Sequence, residues 1–139
     1  MKYFTTVFIV FLSISCLGVK IDKNLLRAIS KVESNNKELA VGDSGKAYGA
    51  FQLHKIYIDD VNRFSAKKYR RTDAFNKKLA EEIVVKYLQH YGKRYERITG
   101  QSASREVLAR IHNGGPDGWK KSSTIKYWKK IKSAGNFKE

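Results

Sequence analysis

The sequence predicts an α+β domain, mainly helical, with a small β-hairpin beside its first helix. Apolar residues recur at helical spacing in five segments, and a turn-rich stretch, Gly42-Asp-Ser-Gly45, separates two short runs able to pair as a hairpin. No linker, repeat or low-complexity segment divides the chain. One domain with one core is therefore expected.

Asp22 is the expected N-cap of the first helix, whose apolar stripe runs through Leu25, Leu26, Ala28, Ile29 and Val32. Glu33 falls at i+4 from Ile29 and i+7 from Leu26, on the face that points inward. The alternative turns Glu33 to the helix edge, paired with Lys37 at i+4. Ser34-Asn35-Asn36 ends the helix, and the region from Gly42 to Gln52 forms the hairpin. A second helix is expected over 55–62. After a basic loop, Thr72 or Asp73 caps the longest pattern, with Phe75, Leu79, Ile83, Val84, Tyr87, Leu88 and Tyr91 on one face. Gly92 or Gly100 marks its exit. Ser104 opens a fourth helix striped by Val107, Leu108 and Ile111, which His112-Asn113-Gly114-Gly115-Pro116 stops. The last helix runs from Ser123 or Thr124 to about Lys132. Two halves built this way leave a cleft, with Glu33 and Asp43 in its wall.

Residues 1–18 read as a secretory signal: Lys2, then an apolar run through Val7-Phe-Ile-Val-Phe-Leu12, then small or neutral residues to Gly18. The run is too short for a transmembrane anchor. Residues 19–139 form the domain. Lipid attachment at Cys16 competes with simple export, but Ser13 occupies a position where an aliphatic residue is wanted. Cys16 is the one cysteine of the chain, so cleavage leaves no disulfide, thiolate nucleophile or cysteine-held zinc. His54, His90, His112 and the pair Glu81-Glu82 have no metal-ligand spacing, and neither metal nor cofactor is expected.

The formal charge is +15, from 28 Lys and Arg against 13 Asp and Glu. Basic residues are spread over the whole domain and form no tail, which favours anionic polymers. Export points to the acidic polymers of a bacterial envelope in preference to specific nucleic acid.

Desolvation disfavours a charged carboxylate, so burial is expected to raise the pKa of Glu33 and suit it to general-acid work. Asp43, on the hairpin turn, is placed to oppose it after the chain doubles back, or else to cap its own backbone.

Two stretches carry a more specific signal. The first combines Val32-Glu-Ser34, Gly42-Asp-Ser-Gly45 and Tyr48-Gly-Ala-Phe-Gln-Leu53; the second is Ala109-Arg-Ile-His-Asn-Gly-Gly-Pro-Asp-Gly118 with Ser123-Thr-Ile-Lys-Tyr-Trp128. Together they resemble the lysozyme superfamily, and most of all the invertebrate-type, destabilase-like lysozymes, over most of residues 25–131. The resemblance implies a lysozyme-like fold with Glu33 as the acid and Asp43 as its nucleophilic or electrostatic partner. It implies a monomeric muramidase that hydrolyses the β-1,4 bond between N-acetylmuramic acid and N-acetylglucosamine of peptidoglycan. Tyr48, Gly49, Gln52, His112, Asn113 and Tyr127 become candidates for lining sugar subsites. Cysteine, abundant in that family, is missing here, with Ala50 and Trp119 among the replacements. The Glu-Ser and Gly-x-Phe-Gln elements are also similar to soluble lytic transglycosylases, which need only the glutamate. A non-catalytic cationic protein that binds envelope polymers or nucleic acid is the third alternative.

Overall fold

The computed structural model describes residues 18–137, so the leader expected over residues 1–18 lies, but for Gly18, outside the described residues. Among the described residues, five α-helices surround one core: α1 (Lys23–Ser34), α2 (Lys55–Phe64), α3 (Lys77–Thr99), α4 (Arg105–Gly114) and α5 (Ile125–Gly135). Between α1 and α2 lie three two-residue strands, β1 (Val41–Gly42), β2 (Ala47–Tyr48) and β3 (Leu53–His54). They form an antiparallel sheet in the order β1-β2-β3, one strand more than the expected hairpin. The extra strand arises because Gln52 turns the chain back through a left-handed φ of 49°, pairing Tyr48 with Leu53 and Ala47 with His54.

Leu25, Ile29, Ile58, Val61, Ile83, Val84, Leu88, Leu108, Ile111 and Ile131 are buried in one cluster drawn from all five helices. Helix α1 packs on α5 and α4, and α3 supports both α2 and α4. Deleting a fully buried Ile or Leu side chain to alanine in such a core costs about 2–5 kcal/mol, so this packing is what fixes the ends of α1 and α4 relative to each other.

The local signals explain most element limits. Asp22 accepts from the Asn24 amide at 2.8 Å, and Ser104 accepts from the Val107 amide at 3.2 Å, so both caps stand where the sequence places them. Asn35, with φ 54°, closes α1. The cap of α3 is different: Asn76 accepts from the Leu79 amide at 3.0 Å, whereas Thr72 and Asp73 lie in a separate 3-10 turn, Arg71–Phe75. Asp73 there accepts from the Arg70 amide at 2.8 Å. Gly92 does not end α3. A Cβ at this glycine would meet Leu108 and Val19 side-chain atoms at 3.0 Å, so it serves the packing of α3, and Gly100, with φ +70°, is the exit. Helix α5 continues past Lys132 to Gly135 and closes at Asn136, φ 49°.

The sheet leans on the Arg71–Phe75 turn. Tyr48 stacks on Phe75 at 4.6 Å between ring centroids, the Arg71 guanidinium lies 4.0 Å over the Tyr48 ring, and Arg71 donates to the Gly45 carbonyl at 2.9 Å. Gly49, at φ +76°, passes so close that a Cβ would lie 1.8 Å from the Ala74 carbonyl oxygen. Gly45 has φ +85° but open space around it. Gly49→Ala should therefore cost more than about 2 kcal/mol in denaturant unfolding, and Gly45→Ala only about 1 kcal/mol. Equal losses would mean that the contact with Ala74 does not govern this turn.

Candidate active site

A cleft of about 660 Å³ opens between the sheet and the helices. Glu33, from the last turn of α1, and Asp43, from the loop after β1, both line it. So do Gln52 and His54 from the sheet, Tyr57, Asp60 and Arg63 from α2, Tyr87 and Tyr91 from α3, and His112 and Asn113 from the end of α4. The core packing thus brings to one wall residues that are distant in the chain.

Glu33 is 80% screened from solvent at its side chain, with 20% exposure. Its Oε1 accepts from the Tyr127 hydroxyl at 2.7 Å. His112 Nε2 stands 3.6 Å from the same oxygen, at the outer edge of hydrogen-bonding reach. Among the described residues no side chain is bonded to Oε2, which leaves that oxygen for the cleft. Lys37 is not its partner; the Lys37 amide instead donates to Ser34 Oγ at 3.0 Å.

The His112 ring is buried, and its Nδ1 lies 3.1 Å from the Tyr57 hydroxyl. Burial pushes the Tyr57 hydroxyl well above its ordinary value, so it keeps its proton. The assignment that satisfies both contacts has Tyr57 donating to Nδ1 and a protonated Nε2 facing Glu33. Tyr57 is itself stacked on Tyr87 at 3.7 Å. The imidazole is therefore fixed from behind.

Two effects oppose each other at Glu33. Burial raises its pKa, and a carboxylate near the C-terminal end of a helix is disfavoured in the same sense. The His112 imidazole and the Tyr127 hydroxyl pull it down through hydrogen bonding and charge, and they win: the carboxyl lies below the ordinary glutamate value. The expectation that burial alone raises it is thus corrected, because burial here comes with two groups that favour the anion. Tyr127 pays in the opposite direction, its hydroxyl raised well above the ordinary range by burial and by Glu33.

Asp43 has φ 49° and the following Ser44 φ 53°, two successive left-handed residues that carry the chain around the turn. Its side chain does not cap the turn. It extends to His54, with Nε2 to Oδ2 at 3.5 Å.

Of the six candidate subsite residues, Gln52, His112 and Asn113 line the cleft. Tyr127 reaches it through Glu33. Gln52 also donates to the Gly49 carbonyl at 3.0 Å, tying the sheet together. Tyr48 and Gly49 stand apart from the cleft lining, engaged with Phe75, Arg71 and Ala74 as described, so the close backbone approach that requires glycine at 49 is to Ala74.

Sequence reasoning did not single out His54 as the partner of Asp43, since that contact follows from the register of β3 against β2. It also missed the far wall of the cleft. There the Tyr91 hydroxyl donates a short hydrogen bond to Asp60, and Arg63 meets the same carboxylate at 3.4 Å. Burial and Asp60 push the Tyr91 hydroxyl up to about 12. Among the described residues no group of three metal-ligating side chains occurs, and no helix is long and apolar enough to cross a membrane.

A family model described as Destabilase matches residues 22–134. The chain is 32% identical over 130 residues to a lysozyme of Ostrea edulis, covering 91% of this chain and 90% of that one. It is 35% identical over 132 residues to invertebrate-type lysozyme 3 of Caenorhabditis elegans, covering 90% and 93% respectively. Among solved structures it is similar to an inhibitor-bound lysozyme from Meretrix lusoria, with a TM-score of 0.64 and 33% identity over 81% of this chain and 89% of that one. Tapes japonica lysozyme gives a TM-score of 0.63 and 29% identity over 80% and 88%. The chain therefore belongs to the destabilase family and is a glycoside hydrolase of the invertebrate lysozyme type.

Proposed function

We propose that this protein is an exported peptidoglycan muramidase that hydrolyses the β-1,4 bond between N-acetylmuramic acid and N-acetylglucosamine. The observation that carries this reading is the asymmetry at Glu33: Oε1 accepts from Tyr127 with His112 close by, Oε2 has no side-chain partner among the described residues, and the residue lines the same cleft as Asp43. Protonated at Oε2, Glu33 delivers its proton to the leaving glycosidic oxygen. Asp43, more than half exposed, serves the developing positive charge at the anomeric carbon as nucleophile or electrostatic partner. Glu33, now anionic and stabilised by its two donors, is then ready to take a proton from the incoming water.

Export rests on the apolar leader, and the net charge of +15 draws the protein to anionic envelope polymers. The likeness to lysozymes over nine-tenths of the chain supports the substrate class. In this reading the protein works as a monomer and without a cofactor.

Purified peptidoglycan digested by the protein should yield reducing muramic acid ends in mass spectrometry. Anhydro-muramyl ends would replace the muramidase reading by a lytic transglycosylase, and intact glycan by a cationic binding protein. Glu33→Gln should lower turnover by about 10²–10⁴-fold, the usual contribution of a positioned general acid. Full lysis by that variant would remove both enzymatic readings.

The pH dependence follows from the direction of the Glu33 shift. The acid form is required, and a lowered pKa makes that form scarce as pH rises, so kcat/KM should fall on the alkaline side of an acidic optimum. His112→Gln removes the group that lowers the Glu33 pKa most, so the alkaline limb should move to higher pH. A limb that stays in place or moves to lower pH would show that His112 does not set the acid.

A further inference from the structure

We infer that His54 is the positioning residue of Asp43, holding its carboxylate toward the cleft during the reaction; the inference rests on the muramidase reading above. The backbone under Asp43 is already fixed from three sides. The Lys46 amide donates to the Gly42 and Asp43 carbonyls, each at 3.1 Å. Arg71 clamps the Gly45 and Lys46 carbonyls at 2.9 and 3.3 Å. Gly42 lies so close to Gln52 that a Cβ would fall 2.1 Å from the Gln52 Oε1. These contacts set where the Asp43 side chain starts but leave its rotation free.

Among the described residues, His54 is the one polar side chain that meets the Asp43 carboxylate, at 3.5 Å. Its own backbone is held by the β2–β3 pairing, with Ala47 opposite, so the imidazole starts from a rigid element. Both side chains line the cleft. The pair is largely exposed, 44% for His54 and 59% for Asp43, and a pair so exposed contributes little to stability. A contact that does little for folding, between a cleft carboxylate and a strand-anchored imidazole, is placed to restrict rotation.

The test is steady-state kinetics on soluble peptidoglycan fragments with His54→Ala, His54→Gln, His54→Asn, Asp43→Asn and the double variant His54→Ala/Asp43→Asn. Thermal melts control for folding. His54→Ala should lower kcat about 10- to 100-fold, the scale of a misplaced reacting group, with KM and the melting temperature little changed. Gln extends an amide nitrogen to the reach of Nε2 and should restore most of kcat, whereas the shorter Asn should not. The double variant should be no slower than Asp43→Asn alone, since a positioning residue has nothing left to position. Wild-type kcat in His54→Ala, or losses that multiply in the double variant, would overturn the inference and leave the muramidase reading standing. Wild-type hydrolysis by Asp43→Asn would overturn both.

Discussion

The hydrogen bond from Tyr127 to Glu33 is the constraint on which the site depends. It joins residues 94 positions apart and can form only if α1 and α5 pack side by side. His112 approaches the same oxygen from α4 and is held there by Tyr57 from α2. Three helices therefore meet at one carboxyl oxygen, and a fourth holds the imidazole from behind. The apolar core supplies the energy that keeps them together, and the polar contacts use that rigidity to decide which oxygen of Glu33 is left for chemistry. In the proposed reading of Glu33 as the acid this has a cost: the groups that orient it also favour its charged form, which ties its proton-donating range to acidic pH.

The second carboxylate is arranged on different principles. Glu33 is set by tertiary packing, whereas Asp43 is set by a chain of local turns. Two left-handed residues, a glycine pressed on Gln52, and the Arg71 clamp put Asp43 at the cleft, and the small sheet carries His54 to it. The two carboxylates thus line one cleft in different surroundings, one largely buried and one partly solvated, which suits the different roles proposed for them. The absence of cysteine from residues 19–139 means that this loop is held by backbone turns, a Tyr-Phe stack and an arginine rather than by a disulfide.

Much of this was legible in the sequence because the signals are local. The 3.6-residue period put Glu33 on the buried face of α1, and the caps Asp22 and Ser104 were readable as single residues with a defined bond to make. The cap of α3 was not, because Thr72, Asp73 and Asn76 are all good caps and only the tertiary position of the Arg71–Phe75 turn selects Asn76. Gly92 read as a helix exit since its reason, contact with Leu108 and Val19, comes from other elements. The contacts of Tyr48 with Phe75 and of Gly49 with Ala74 were not legible either, because they depend on the tertiary position of that same turn. The direction of the Glu33 shift was misjudged for the same reason: burial is visible in a helical pattern, but the two donors that outweigh it come from α4 and α5.

At Glu33, His112 and Tyr127 together outweigh burial and favour the anion in the free enzyme. Carbon-detected NMR titration of the Glu33 side-chain carboxyl in the unliganded protein tests it most directly. The expected midpoint lies below the ordinary glutamate value of 4.5. A midpoint at or above that value would show that desolvation prevails, and the placement of the acid by its two donors would then not be what governs this site.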